Sequence, residues 1–265
     1  MNTGLPKPSV EENPLAQSDV RAMIHLLGDV AALPGGHAEK KQFLMDGLCR
    51  LIHADVWTWT LACQFEPNKP PVYVGYAHGG FSQERFAKYL TAVEDPSTQV
   101  ATFPFITEFQ AKGAHHTRHL DELAEGQCQL FIEQSPLWRA VGLKTSVFSA
   151  YPLDDRCVSA IAIFRNLGAG LFTRRESLIA HIILSEIPWL HEQGWPEDRG
   201  VKVPHLSPRK RLILNFLLDN RSRKEIADDI GISVNTVGAY INEIYRHFRV
   251  QSHAELIKRF FRPIV

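Results

Sequence analysis

Apolar positions along residues 36–53 return at helical spacing through Leu44, Leu48, Leu51 and Ile52, which predicts a helix with one greasy stripe. A second helix is read over 16–33, and Pro34-Gly35-Gly36 separates the two. At residue 55 the period changes. Trp57, Trp59, Leu61, Cys63 and Phe65 alternate with Val56, Thr58, Thr60 and Ala62, the pattern of a strand whose two faces differ. Residues 67–71 carry three prolines and turn the chain toward a partner strand over 72–78. Two further strands, 146–153 and 157–165, flank Asp154-Asp155-Arg156, a short polar connection suited to an antiparallel hairpin. After Gly168-Ala169-Gly170 the run Thr173-Arg174-Arg175-Glu176 fits a capping box and opens a last helix. Helices, hairpin, long middle segment, hairpin, helix: this order predicts an antiparallel sheet with helices packed on it.

The pattern over 206–261 is helical throughout. Ser207-Pro208 opens the first helix, with Pro where no amide partner is lost. Ser222-Arg223-Lys224-Glu225 is a second capping box, ahead of the apolar face Ile226, Ala227 and Ile230. Gly231 permits a sharp turn. Ser233 then caps a helix in which Val237, Ile241, Ile244 and Phe248 recur at steps of four, three and four. A short fourth helix from about Ser252 brings Leu256, Ile257 and Phe260 to the same core. Two helices joined by a Gly-containing turn, the second amphipathic, form a helix-turn-helix, which places an α-helix into a major groove about 12 Å wide.

Leu206-Ser207-Pro208-Arg209, Lys224-Glu225-Ile226-Ala227, Ile232-Ser233-x-x-Thr236-Val237, Ile244 and Val250 resemble the C-terminal domain of LuxR-type regulators. By family position the resemblance implies that Asn235, Gly238, Ala239 and Asn242 face the groove, the two Asn being able to pair with an adenine edge. It assigns Arg221, Arg223, Lys224, Thr236, Tyr240 and Arg246 to phosphates. The chain departs from the family in places. Lys210 stands for a usual Glu, Asn220 for a Gly, Gly238 and Tyr240 for the common Lys and His, and His247 for a Lys. Losing cations from the groove-facing helix lowers nonspecific phosphate affinity and changes base contacts. Upstream, Phe164-Arg165 and the phrase from Gly170 to Glu176, before a helix read as running to Ile187-Pro188-Trp189-Leu190, resemble GAF-like sensor domains attached to such regulators. Tyr89 with Asp95-Pro96 is similar to a fragment of the acyl-homoserine-lactone-binding domains of LuxR relatives, without the remainder of that pattern.

The fold class is therefore read as α+β: a GAF/PAS-like antiparallel sheet with flanking helices, followed by an all-α four-helix domain. The division is a polar, Pro-containing tail at 1–15 read as disordered, a sensor domain at 16–193, a linker at 194–205 with two Gly and two Pro, and the helix-turn-helix domain at 206–265. The 265 residues allow one ordinary core and one small one. The net charge of zero conceals an asymmetry. Residues 206–265 hold 11 Lys and Arg against 6 Asp and Glu, a net +5, and the remainder balances it at −5. A basic small domain attached to an acidic larger one suits attraction to phosphates at one end only.

Candidate chemistry changes this picture little. Trp57, Trp59, Tyr76, Phe103, Phe105, Trp138 and Phe148 are candidate walls of a small-molecule pocket, with core packing as the competing reading. His115, His116 and His119 with Cys128 are read as a polar loop rather than a zinc site, since no second ligand pair exists. There is no Gly-x-Ser-x-Gly and no Gly-rich phosphate loop, so no enzyme, metal or cofactor is expected. The four scattered Cys read as reduced thiols, and the absence of a signal or apolar span predicts a cytoplasmic protein without membrane contact. The expected partners are double-stranded DNA, a second copy in a homodimer, RNA polymerase, and an unknown small-molecule ligand. The competing reading is a sensor whose helix-turn-helix has become a protein adaptor.

Overall fold

The computed structural model describes residues 15–63, 72–153, 157–193 and 206–260. Strands β1 (Val56–Cys63), β2 (Val72–Gly79), β3 (His116–His119), β4 (Leu143–Pro152) and β5 (Cys157–Asn166) form an antiparallel sheet in the order β2-β1-β5-β4-β3. This is the α+β arrangement expected, with helices covering both sheet faces. Trp59 pairs with Ile161 and Trp57 with Ile163, so the large side chains of β1 and β5 stand on one face. Against that face pack α1 (Gln17–Ala32), α2 (His37–Leu51), α7 (Arg174–Ser185) and α8 (Pro188–Glu192), through Met23, Leu44, Leu48, Ile179, Ile183 and Leu190. The other face meets α3 (Gln83–Glu94), α4 (Pro96–Lys112), α5 (Gln127–Gln134) and α6 (Pro136–Val141) in a second core built on Tyr89, Phe105, Leu123 and Trp138. Among the described residues no helix is long and apolar enough to cross a membrane.

Three expectations change. The helix opened by Thr173 stops at Ser185, because Pro188 has no amide to continue it and starts the short α8 instead. The long middle segment, to which the sequence pattern assigns no element, holds the helices α3 to α6 with the edge strand β3. The histidines read as a polar loop form that strand: His116 and His119 lie inside it, both buried. The tail 1–14, the Asp154-Asp155-Arg156 turn and the linker 194–205 lie outside the described residues.

The C-terminal helices are α9 (Pro208–Leu218), α10 (Arg223–Ile230), α11 (Val234–Phe248) and α12 (His253–Phe260). Ser222 and Glu225 close the predicted capping box, and Ser233 accepts from the Thr236 amide. Ser207 occupies the cap position of α9, yet its side chain makes no capping hydrogen bond. Gly231 takes φ +64, a left-handed conformation that costs a residue with a side chain about 1 kcal/mol or more, and so lets the chain turn between α10 and α11. Ile226, Ile230, Val237, Ile241, Ile244, Phe248 and Leu256 are buried together. At about 2 kcal/mol for each large side chain, this burial holds the small domain shut. Helix α9 also touches β2.

Candidate nucleic-acid interface and cavity

On α11 the buried residues Val237, Ile241, Ile244 and Phe248 define one stripe. Asn235, Ala239, Asn242 and Arg246 are each displaced from it by two residues, about 200° around the helix, and all four are exposed. Thr236 is exposed as well, its hydroxyl 2.7 Å from that of Ser233. Gly238 is half-buried, and a Cβ added to it would meet nothing within 4 Å. Tyr240 is half-buried with its ring against the core. The ion pair of Lys210 Nζ with Glu243 Oε2, 2.7 Å apart, ties α9 to α11.

Arg223 and Lys224 stand exposed in the first turn of α10, with Arg221 just ahead of it, 3.9 Å from Asp229. Cations at the positive end of a helix dipole are disfavoured by a few tenths of a kcal/mol, and an external anion placed there reverses the sign. The ten residues assigned to DNA thus fall on two adjoining helix faces, eight of them fully exposed and Gly238 and Tyr240 partly covered.

In the N-terminal part a cavity of about 90 Å³ opens between the sheet and α3, α4 and α6. Tyr76, Phe105, Trp138 and Phe148 line it, as do Tyr73, Tyr89, Thr58, Thr60, Thr98 and a floor of Ala62, Ala150, Ala160 and Ala162. Phe103 is half-buried and outside this lining. Trp57 and Trp59 are corrected: they point through the opposite face of β1, where Trp57 Nε1 donates to Asp46 (3.0 Å) and Trp59 Nε1 to Ser159 Oγ (2.6 Å). The alternation along β1 was legible, but the cavity lies on its smaller, threonine-bearing face. Among the described residues no charged side chain lines it. The polar atoms are phenols, hydroxyls and an indole: Tyr89 Oη is 3.0 Å from Thr58 Oγ1, and Trp138 Nε1 donates to Thr98 Oγ1 at 2.9 Å. Burial raises the Tyr73 phenol to about 12 and pushes Tyr76 and Tyr89 up as well, so all three stay neutral. Of the Tyr89 and Asp95 pair, only Tyr89 reaches the cavity; Asp95 caps α4 by accepting from the Ser97 amide at 2.9 Å. Thr58 went unrecognised as lining, since threonines on the less apolar side of a strand ordinarily face water, and Thr98 and Tyr89 reach the cavity from α4 and α3, whose packing no local pattern reveals.

No group of three or more His, Cys, Asp or Glu arranged to hold a metal ion occurs among the described residues.

Residues 204–260 match the family model described as bacterial regulatory proteins, luxR family. The transcriptional regulatory protein FixJ of Azorhizobium caulinodans is 26% identical over 163 residues, which cover 60% of this chain and 64% of that protein. The chain therefore spans just under two thirds of the curated relative it matches. Among solved structures, Escherichia coli SdiA aligns over 90% of this chain and 94% of its own at 17% identity and a TM-score of 0.41. The ligand-binding domain of VqsR from Pseudomonas aeruginosa aligns over 66% and 95% at 12% identity and 0.41. A GAF domain from a Coxiella burnetii phosphoenolpyruvate-protein phosphotransferase aligns over 65% and 90% at 12% identity and 0.38.

Proposed function

We propose that this chain, whose residues 204–260 match the luxR family model, is a DNA-binding transcription regulator whose activity answers to a small neutral molecule held by its N-terminal part. The observation that carries the reading is the exposed stripe of α11, with Asn235, Ala239, Asn242 and Arg246 lying directly opposite a fully buried one. An amphipathic helix whose polar side bears two amides and a guanidinium, beside exposed cations at the start of α10, matches base edges and phosphates together. The net +5 of residues 206–265 supports the same partner. Two copies on a two-fold site are the expected stoichiometry. The division into a sensor domain at 16–193 and a DNA reader from 206 is part of this proposal.

Ligand control is supported by the cavity. Its uncharged, largely apolar walls with a few fixed hydroxyls favour an uncharged ligand of mainly apolar body. β2, which supplies Tyr73 and Tyr76 to it, is also the strand that α9 touches. The test is fluorescence anisotropy of the full chain on genomic promoter fragments across a salt series. Specific binding that weakens as salt rises is expected; absent or salt-insensitive binding refutes the reading. Asn235→Ala with Asn242→Ala separates it from the adaptor alternative, in which regulation survives both changes.

A further inference from the structure

At the outer edge of the sheet, away from the apolar cavity, a second hollow of about 200 Å³ lies between β3, the end of α4 and the start of α7. Three permanent cations reach it from three elements: Lys112 from α4, Arg118 from β3 and Arg174 from α7. This concentration stands in a part of the chain whose overall balance is acidic, since residues before 206 sum to −5. The cations differ in their commitments. Arg118 is met by Glu108 at 2.9 Å and by Glu122, the one lining carboxylate among the described residues, at 3.5 Å. Lys112 and Arg174 are exposed and make no ion pair among the described residues. Arg174 also sits at the first position of α7, where the helix dipole disfavours a cation, whereas its neighbour Arg175 is paired with Asp19.

The floor supplies hydrogen-bonding groups suited to an oxyanion. Ser177 presents a hydroxyl, whereas Thr117 Oγ1 is engaged by Ser149 Oγ at 3.0 Å, His181 Nδ1 at 3.2 Å and His115 Nε2 at 3.4 Å. His116, also lining, is held by Glu108 at 2.9 Å and stacked on Phe105. Burial holds His116 and His181 below the usual histidine value; the Lys112 charge acts in the same direction on both, and Glu108 opposes it at His116. Two uncommitted cations converging from separate walls match a doubly charged group better than a carboxylate, and a guanidinium takes two of its oxygens at once.

We propose that this edge hollow is a binding site for a small phosphorylated molecule, its phosphate held between Lys112 and Arg174 beside the hydroxyl of Ser177. The site is separate from the apolar cavity and does not depend on the regulator reading.

His181 is the reporter. The charged and titratable groups set around the hollow are Lys112 and Glu108 on α4, His115, His116 and Arg118 on or beside β3, Glu122 beyond it, and Arg174 on α7. A bound dianion adds negative charge and favours the imidazolium. Histidine ring protons of the full chain are followed by NMR across pH, with the His181 signal assigned from its loss in His181→Gln. The series is run in chloride, acetate, inorganic phosphate and glycerol phosphate at one ionic strength. Phosphate and glycerol phosphate at millimolar concentration are expected to raise the His181 midpoint by about 1 unit. The shift is expected to vanish in the Lys112→Ala, Arg174→Ala double variant, whose other ring signals remain in place. An unmoved His181, an equal response to acetate, or a shift confined to His247 and His253 on the C-terminal helices each overturns the proposal.

Discussion

Glu176 caps α7 with one carboxylate oxygen and holds Arg165 with the other. Oε2 accepts from the Thr173 amide at 2.9 Å and its hydroxyl at 3.0 Å, and Oε1 accepts from Arg165 Nη2 at 2.5 Å. Arg165 spends its remaining donors on the carbonyls of Ile52, His53, Gly170 and Leu171, so all five guanidinium N–H groups are satisfied inside the fold. Both side chains are buried. Removing one member of such a pair strands the other charge without water. Glu176→Ala is expected to lower unfolding free energy by about 4 kcal/mol in urea titrations, and a loss below about 1 kcal/mol refutes this account.

His191 predicts an acid sensitivity. Trp59 donates to Ser159 Oγ; Ser159 lies 2.8 Å from His191 Nδ1, and His191 Nε2 lies 2.8 Å from the Leu184 carbonyl. A neutral ring accepting at Nδ1 and donating at Nε2 satisfies every member. Burial drives its pKa from the usual 6.5 down to about 3. Between those values the unfolded chain binds a proton that the folded chain refuses, so the stabilisation is whole above 6.5 and lost as pH falls. Each unit costs about 1.4 kcal/mol, or about 2 kcal/mol by pH 5. His115, driven by burial to about 3, acts in the same direction. His191→Gln keeps one donor and one acceptor, and denaturation between pH 7 and 5 is expected to show a shallower slope in that variant.

The cavity floor gives a test by filling. Ala162 pairs with Thr58 on β1 and Phe148 on β4 and lines the space. Ala162→Leu is expected to leave stability within about 1 kcal/mol of the parent, because the added carbons occupy a void. It is also expected to abolish the thermal stabilisation given by any neutral ligand that raises the parent's Tm. A loss above about 3 kcal/mol shows that the space is too small to be a site.

Gly238 sits mid-helix with open space around the position of a Cβ. Gly238→Ala is therefore expected to stabilise the C-terminal domain by about 1 kcal/mol in thermal unfolding. Destabilisation would show that a methyl group at this position meets a neighbour and refutes the account.

What the sequence made legible follows from how local each signal is. The capping boxes at Thr173 and Ser222 and the stripe on α11 are decided within a few residues, and each formed as read. The reading of β1 separated its faces correctly but assigned the pocket to Trp57 and Trp59. Which face of a doubly covered strand holds a void depends on helices α3 to α6, whose positions are set by distant contacts. β3 escaped for a related reason. Four residues with two histidines carry no strand pattern, and His116 and His119 are buried because β4, α4, α7 and the turn after β3 close over them. The second role of Glu176 was equally hidden, since Arg165 lies on another element.

The residues proposed to face DNA divide by the kind of loss they should produce. Asn235 and Asn242 offer paired donor and acceptor atoms, so replacing either by Ala is expected to cost about 1–3 kcal/mol on the preferred site and almost nothing on random DNA. Arg223 and Lys224 offer charge alone. Arg223→Ala or Lys224→Ala is expected to weaken every sequence alike and to lower the slope of log affinity against log salt by about 1. Anisotropy titrations at several salt concentrations separate the two patterns. If Asn→Ala changes also reduce the slope, or Arg→Ala changes erase sequence preference, the assignment of α11 to bases and α10 to phosphates is wrong. The exposed stripe would then have to meet the duplex in some other orientation.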